Sequence, residues 1–308
     1  MGVLLTAVLI VAGTAVGVGA EHRYPTAAIG LARRLMRLIL YVAVPIVIYF
    51  NLARASVSLD NAVGLVLALL TMILIGTFAW FVSDRVLGLS RPQTGAVIVA
   101  ATVANTGYLG YPLTVALLGH DHLSATVLYD VLVSGPVLLL GAFGVGAAFG
   151  DRAGEGLKAR SKAFLTRNPP LYAAILGLLA PHSLAPEFLV NASQVLVIAV
   201  LPVGFFAVGA TLAEGAEHGE LPFPPPIDRP VALAVLTRIA LGPAVLMLLA
   251  APLIDLPSAY RLMSAMPTGL NAMIVSHAYG LDNRTVAEAI TWSTAIVVSA
   301  ALVSLLFH

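Results

Sequence analysis

The chain of 308 residues is 59% hydrophobic and only 10% charged, with a mean hydropathy of +0.97. About a quarter of the residues of a soluble domain are charged, so an ordinary soluble fold is excluded and an integral membrane protein is implied. The 16 basic and 15 acidic residues leave a net charge of +1, with no dense basic arm for nucleic acid, and the absence of cysteine removes thiol catalysis, thiolate metal sites and disulfides.

A helix needs about 20 mostly apolar residues to cross a bilayer. Such runs lie at 3–19, 30–51, 61–87, 92–118, 123–149, 170–181, 186–213, 230–253, 258–280 and 284–307, predicting an all-α membrane protein of ten spans. The first run has no Lys or Arg before its apolar stretch and reads as a span, not a signal peptide. The sixth is short and bracketed by Pro169, Pro170 and Pro181.

Numbering the loops alternately puts all but Arg54 and Arg261 of the 16 Lys and Arg residues on one side. That side is cytoplasmic by the positive-inside rule, which sets both termini outside the cytoplasm of a cell (plasma or inner) membrane. Arg238, deep in the eighth span, could balance an anion or Asp130, but it is expected to snorkel toward the cytoplasmic interface.

The most basic segment divides the chain into a first five-span unit at 1–150, a connector at 151–168 and a second unit at 169–308. An odd number of spans per unit inverts the second relative to the first. Weak repeats agree: "VAVPIVIYFNLARASV" answers "AVLPVGFFAVGATLAE", and "ANTGYLG" answers "MPTGLNA", pairing Thr106 with Thr268 and Gly107 with Gly269. Inverted repeats with interrupted helices in corresponding positions point to a secondary transporter and its substrate site.

The interruptions are the fourth span, with Asn105, Thr106, Gly107, Tyr108, Gly110 and Pro112, and the ninth, with Pro267, Thr268, Gly269 and Asn271. In hydrocarbon, irregular backbone survives only when buried in protein or lining a polar cavity. Pro112 lacks the N–H that would bond to Tyr108 and is expected to hold its helix open. Two broken helices supply two half-helix N-termini whose N–H groups and dipoles favour a carboxylate or another anion.

The stretches "NTGYLGYPL" and "AMPTGLNAMIV", with "YVAVPIVIYFNLA" and "LPVGFFAVGATLA" before each, resemble the auxin efflux carrier superfamily, which includes the plant PIN-formed carriers and bacterial permeases. The resemblance spans the second to the tenth run. It implies the ten-helix inverted-repeat fold of bile-acid symporters and sodium/proton antiporters. In that fold the first, second, sixth and seventh helices form a scaffold, and the other six form a transport domain in which the broken fourth and ninth helices cross. It also implies organic-anion substrates carried by an elevator-type motion, and a possible homodimer through the scaffold. Asn105 and Pro112 match the family's first break, and Pro267 and Asn271 its second; "PTGLN" departs from the second proline and alanine that often follow.

Asp130 lies about 12 Å into the fifth helix, near the membrane middle, with Ser134 on the same face. A carboxylate at that depth faces protein or water, either as a proton carrier or as a structural group bonded to the broken backbone. His277 follows Pro267 toward the outer end of its half-helix and is expected to support or pack. The "HDH" at 120–122 reads as a solvated turn, and "GAFGVGAAFG" as a close-packing helix face. Arg54 ends the second span, where it could attract anions. No Ser-His pair or buried carboxylate cluster suggests an enzyme, and no metal or cofactor is expected. A sodium-coupled bile-acid-type symporter and a non-transporting sensor are the alternatives. Sodium is disfavoured because "NAMIVSHAYG" lacks the Glu and Gln of such sites.

Overall fold

The computed structural model describes residues 3–55, 58–151, 169–217 and 226–306. The basic connector at 151–168 lies, apart from Asp151, outside them. Among the described residues the chain is helical: α1 (Val3–Arg23), α2 (Pro25–Leu52), α3 (Leu59–Val86), α4 (Arg91–Thr102), α5 (Tyr111–Leu117) and α6 (His120–Phe149). There follow α7 (Pro169–Leu179), α8 (Glu187–Glu217), α9 (Arg229–Ala250), α10 (Ser258–Ser264), α11 (Asn271–Tyr279) and α12 (Asn283–Leu306). Six of these contain runs long and apolar enough to cross a membrane: α2, α3, α6, α8, α9 and α12. Their outward faces carry Val66, Ile73 and Leu248, which are exposed and suited to lipid.

Helix starts follow local chemistry. Ser58 accepts from Asn61 N at 3.1 Å to begin α3, and Asp228 accepts from Val231 N at 3.0 Å to begin α9. Ser90 and Gln93 close a capping box at α4. Gly280, at φ 69°, ends α11 in the left-handed conformation that glycine adopts without strain.

Proline shapes the helix interiors in a recurring way. Pro45, Pro112, Pro136 and Pro243 each stand two residues after a π turn, at Ile39–Ala43, Thr106–Gly110, Asp130–Ser134 and Thr237–Leu241. A proline removes one hydrogen bond and crowds the carbonyl four residues back. Widening the preceding turn relieves that carbonyl without ending the helix. Pro112 thus sits in a continuous helical path from Thr106 to Leu117 and does not hold it open; the break lies earlier, at Val103–Asn105.

Several helices approach closely through glycine. A Cβ on Gly17 of α1 would lie 2.2 Å from the Phe206 carbonyl oxygen of α8, and one on Gly209 would lie 2.3 Å from that of Thr14. The small-residue face of α6 is also used within the chain, because a Cβ on Gly150 would lie 2.2 Å from the Tyr279 carbonyl oxygen. A Gly17→Leu variant is expected to lose at least the roughly 1–3 kcal/mol typical of overpacking, since the obstacle is backbone. Gly19, where an added Cβ would have nothing within 4 Å, is the matched control. Thermal melting in detergent checks the pair, and equal melting of the two leucine variants would refute the contact.

Candidate functional site

Val103 leaves α4 in an extended conformation, and Asn105 (φ −86°, ψ 62°) begins the helical path of Thr106–Leu117. In the second half, residues 265–270 separate α10 from α11. The two interruptions meet as antiparallel extended segments. Asn105 N donates to the Pro267 carbonyl at 2.8 Å, Gly269 N donates to the Val103 carbonyl at 2.9 Å, and Ala104 pairs with Thr268. Each break thereby satisfies backbone groups freed by the other, as a low-dielectric interior requires. Glycine at 269 permits the approach, because a Cβ there would lie 2.7 Å from the Ala104 oxygen.

Beside this junction is a cavity of about 300 Å³. Its polar end is formed by Asn105, Thr106, Gly107, Tyr108, Gly269 and Asn271, with Asp130 and Ser134 from α6. The rest of the lining is largely apolar and includes Leu40, Val44 and Ile48 of α2 and Pro169, Pro170 and Leu171 of α7. Among the described residues no Lys, Arg or His lines the cavity. Asn105 is buried, and its Oδ1 has no partner among the described residues. Asp130 is held by two hydroxyls: Thr106 Oγ1 donates to Oδ1, and Tyr111 OH donates to Oδ2 at 2.7 Å. The first N–H groups after each break, at Thr106, Gly107 and Asn271, begin helical paths and so have no intrahelical carbonyl in reach.

The remaining candidates have other places. Thr268 is fully buried, and its Oγ1 donates to the Ala100 carbonyl at 2.8 Å while its N–H donates to Ser293 Oγ at 3.1 Å. It therefore fixes the break and has no hydroxyl proton left for a ligand. Pro267 contributes its carbonyl to the junction, and Pro112 is buried in the first turn of α5. His277 is exposed on α11 and does not line the cavity. Arg54 Nε donates to the Ala185 carbonyl at 2.7 Å, tying the end of α2 to the turn before α8.

Arg238 is the largest correction. It does not snorkel: it is fully buried, and its guanidinium donates to the carbonyls of Ala101 and Thr102, at 3.4 Å each, and to that of Ser264. Sequence reasoning misses Tyr111 and Ser293. Tyr111 has a visible signal in its position beside the first break, whereas Ser293 on α12 has none.

The sequence pattern of the family described as membrane transport protein matches residues 8–143 and 159–305. The chain belongs to this family. It is the auxin efflux carrier family that the motifs resemble, and it makes the protein a multi-pass membrane transporter, not an enzyme. The transporter is 23% identical over 278 residues to an uncharacterized transporter of Methanocaldococcus jannaschii, covering 85% of each chain. It is 33% identical over 150 residues to an uncharacterized transporter of Methanothermobacter thermautotrophicus, covering 48% of this chain and 47% of that one.

Proposed function

We propose that this transporter is a secondary active carrier of an organic anion, best matched by a monocarboxylate with an apolar body, and that it couples transport to protons. The observation that carries this reading is the paired break. Two helix beginnings, each equivalent to about half a positive charge, share the polar end of one cavity with the unpartnered Asn105 carboxamide. A single carboxylate suits that end, and the apolar wall of α2 and α7 suits the remainder of the molecule. Among the described residues no Lys, Arg or His lines the cavity, so they supply no counter-charge for a second carboxylate.

Asp130 competes with the substrate for the same positive ends. An ionised Asp130 beside a bound carboxylate leaves two like charges in a site that offsets about one. Binding of the anion is therefore coupled to protonation of Asp130. Thr106 and Tyr111 supply its hydrogen bonds, Tyr108 is the other titratable group beside it, and Ser134 follows it on α6.

In this reading units 1–150 and 169–308 are inverted repeats of five spans joined at 151–168. The spans broken at 103–105 and 265–270 cross, and the helices bearing them move against a scaffold of α1, α2, α7 and α8 in an elevator-type cycle. The test is flux into proteoliposomes with a panel of aryl and alkyl monocarboxylates and dicarboxylates, with a pH gradient, a sodium gradient or neither. Monocarboxylate uptake driven by the pH gradient is expected. No flux of any anion would overturn the carrier reading, and sodium-driven flux indifferent to pH would overturn the proton coupling.

A further inference from the structure

A buried guanidinium in a membrane interior needs a counter-charge, yet among the described residues no carboxylate is a hydrogen-bond partner of Arg238. Those partners are backbone carbonyls of a particular kind. Ala101 and Thr102 are the last two residues of α4, and Ser264 is the last residue of α10. These are the C-terminal ends of the two half-helices that run into the breaks. Each such end carries about half a negative charge in its unpaired carbonyls, so two together offset roughly one guanidinium. Met72 Sδ of α3 lies 3.6 Å from Nη1, and Nε has no partner among the described residues.

We infer that Arg238 is a positioning residue: by joining the C-terminal ends of both half-helices, it holds the two breaks in register so that both helix beginnings face one cavity. The junction itself is slight, consisting of two cross-break backbone hydrogen bonds and the bond from Thr268 Oγ1 to the Ala100 carbonyl. Without the guanidinium, the two negative helix ends would face each other in a low-dielectric interior and would separate or draw in water. An arginine fork reaches carbonyls on two helices at once, whereas the compact ammonium of lysine serves one position. The effect on substrate binding rests on the carrier reading above; the effect on the junction does not.

The experiment is hydrogen exchange on Arg238→Met and Arg238→Lys in detergent or nanodiscs, read by mass spectrometry over peptides containing Asn105 and Gly269, whose amides cross the junction. Arg238→Met is expected to lose protection at both peptides by at least tenfold while the ends of α3 and α9 keep theirs. Arg238→Lys is expected to lose protection at one of the two. For a transported anion, KM is expected to rise more than tenfold in the Met variant with a smaller change in Vmax. A folded Met variant with both amides protected as in wild type overturns the inference. If the Met variant does not fold, a Lys variant identical to wild type in both protection and KM overturns it. A wild-type protein that carries no anion would defeat the carrier reading alone, because the exchange measurement still decides the role of Arg238.

Discussion

Replacing Asp130 with asparagine is expected to make anion binding insensitive to pH. In the wild-type protein, binding of one anion is linked to uptake of one proton. Over the range in which Asp130 is ionised in the empty site, apparent affinity should therefore strengthen about tenfold for each unit of falling pH. Below that range the site is already protonated and affinity should level off. The asparagine side chain preserves shape and retains one oxygen that can accept from Thr106 or Tyr111, while its Nδ2 donates to the other hydroxyl, and it carries no charge at any pH. The variant should bind at neutral pH with the affinity that wild type reaches only in acid, and it should lose uphill accumulation driven by a proton gradient. Both hydroxyl partners stay protonated across the neutral range, so a residual slope would point elsewhere. Binding isotherms at several pH values, with counterflow as the transport readout, check this. A wild-type pH slope retained in Asp130→Asn would defeat the coupling role and leave Asp130 as a brace for the broken helix.

The membrane class and the two breaks were legible in the sequence, and the reason is local chemistry. Asn, Thr, Gly and Pro concentrated in an apolar run can be tolerated only where the backbone has other partners. The exact place of the break was not legible. Val103 and Ala104 are ordinary helix-compatible residues, and they are extended because Pro267 and Gly269, remote in sequence, provide their hydrogen-bond partners. Pro112 stands out as the strongest helix breaker, yet a wide π turn accommodates it, as at Pro45, Pro136 and Pro243. The sequence match of "ANTGYLG" with "MPTGLNA" pairs Thr268 with Thr106, but their hydroxyls serve different groups, one a backbone carbonyl and the other Asp130. Arg238 shows the same limit most clearly. One arginine in an apolar span has the same sequence signature whether it reaches for the interface or caps buried carbonyls. Only the convergence of two helix ends decides between them.

Asn105 is the other position where a single side chain should dominate. Its backbone is committed on both sides: the N–H donates to the Pro267 carbonyl, and its carbonyl accepts from Gly110 N at 3.1 Å. The carboxamide has no such commitment, so it can turn an Nδ2 donor toward a bound carboxylate. Leucine has the same branched heavy-atom skeleton, though with bulkier methyl groups, and leaves the backbone bonds in place. Hydrogen bonds to charged groups contribute about 1.5–3 kcal/mol, so Asn105→Leu is expected to raise the anion KM by roughly tenfold to 150-fold. Asn105→Asp tests the charge separately. It keeps the shape but sets a second carboxylate against the substrate beside Asp130, so binding at neutral pH should fall below that of the leucine variant and recover on acidification as the new carboxylate takes up a proton. The ordering wild type, leucine, aspartate at neutral pH, with aspartate overtaking leucine in acid, requires Asn105 to touch the anion. If the residue only shaped the break, neutral leucine would be at least as disruptive as aspartate at every pH, and the order measured by binding isotherms would not reverse.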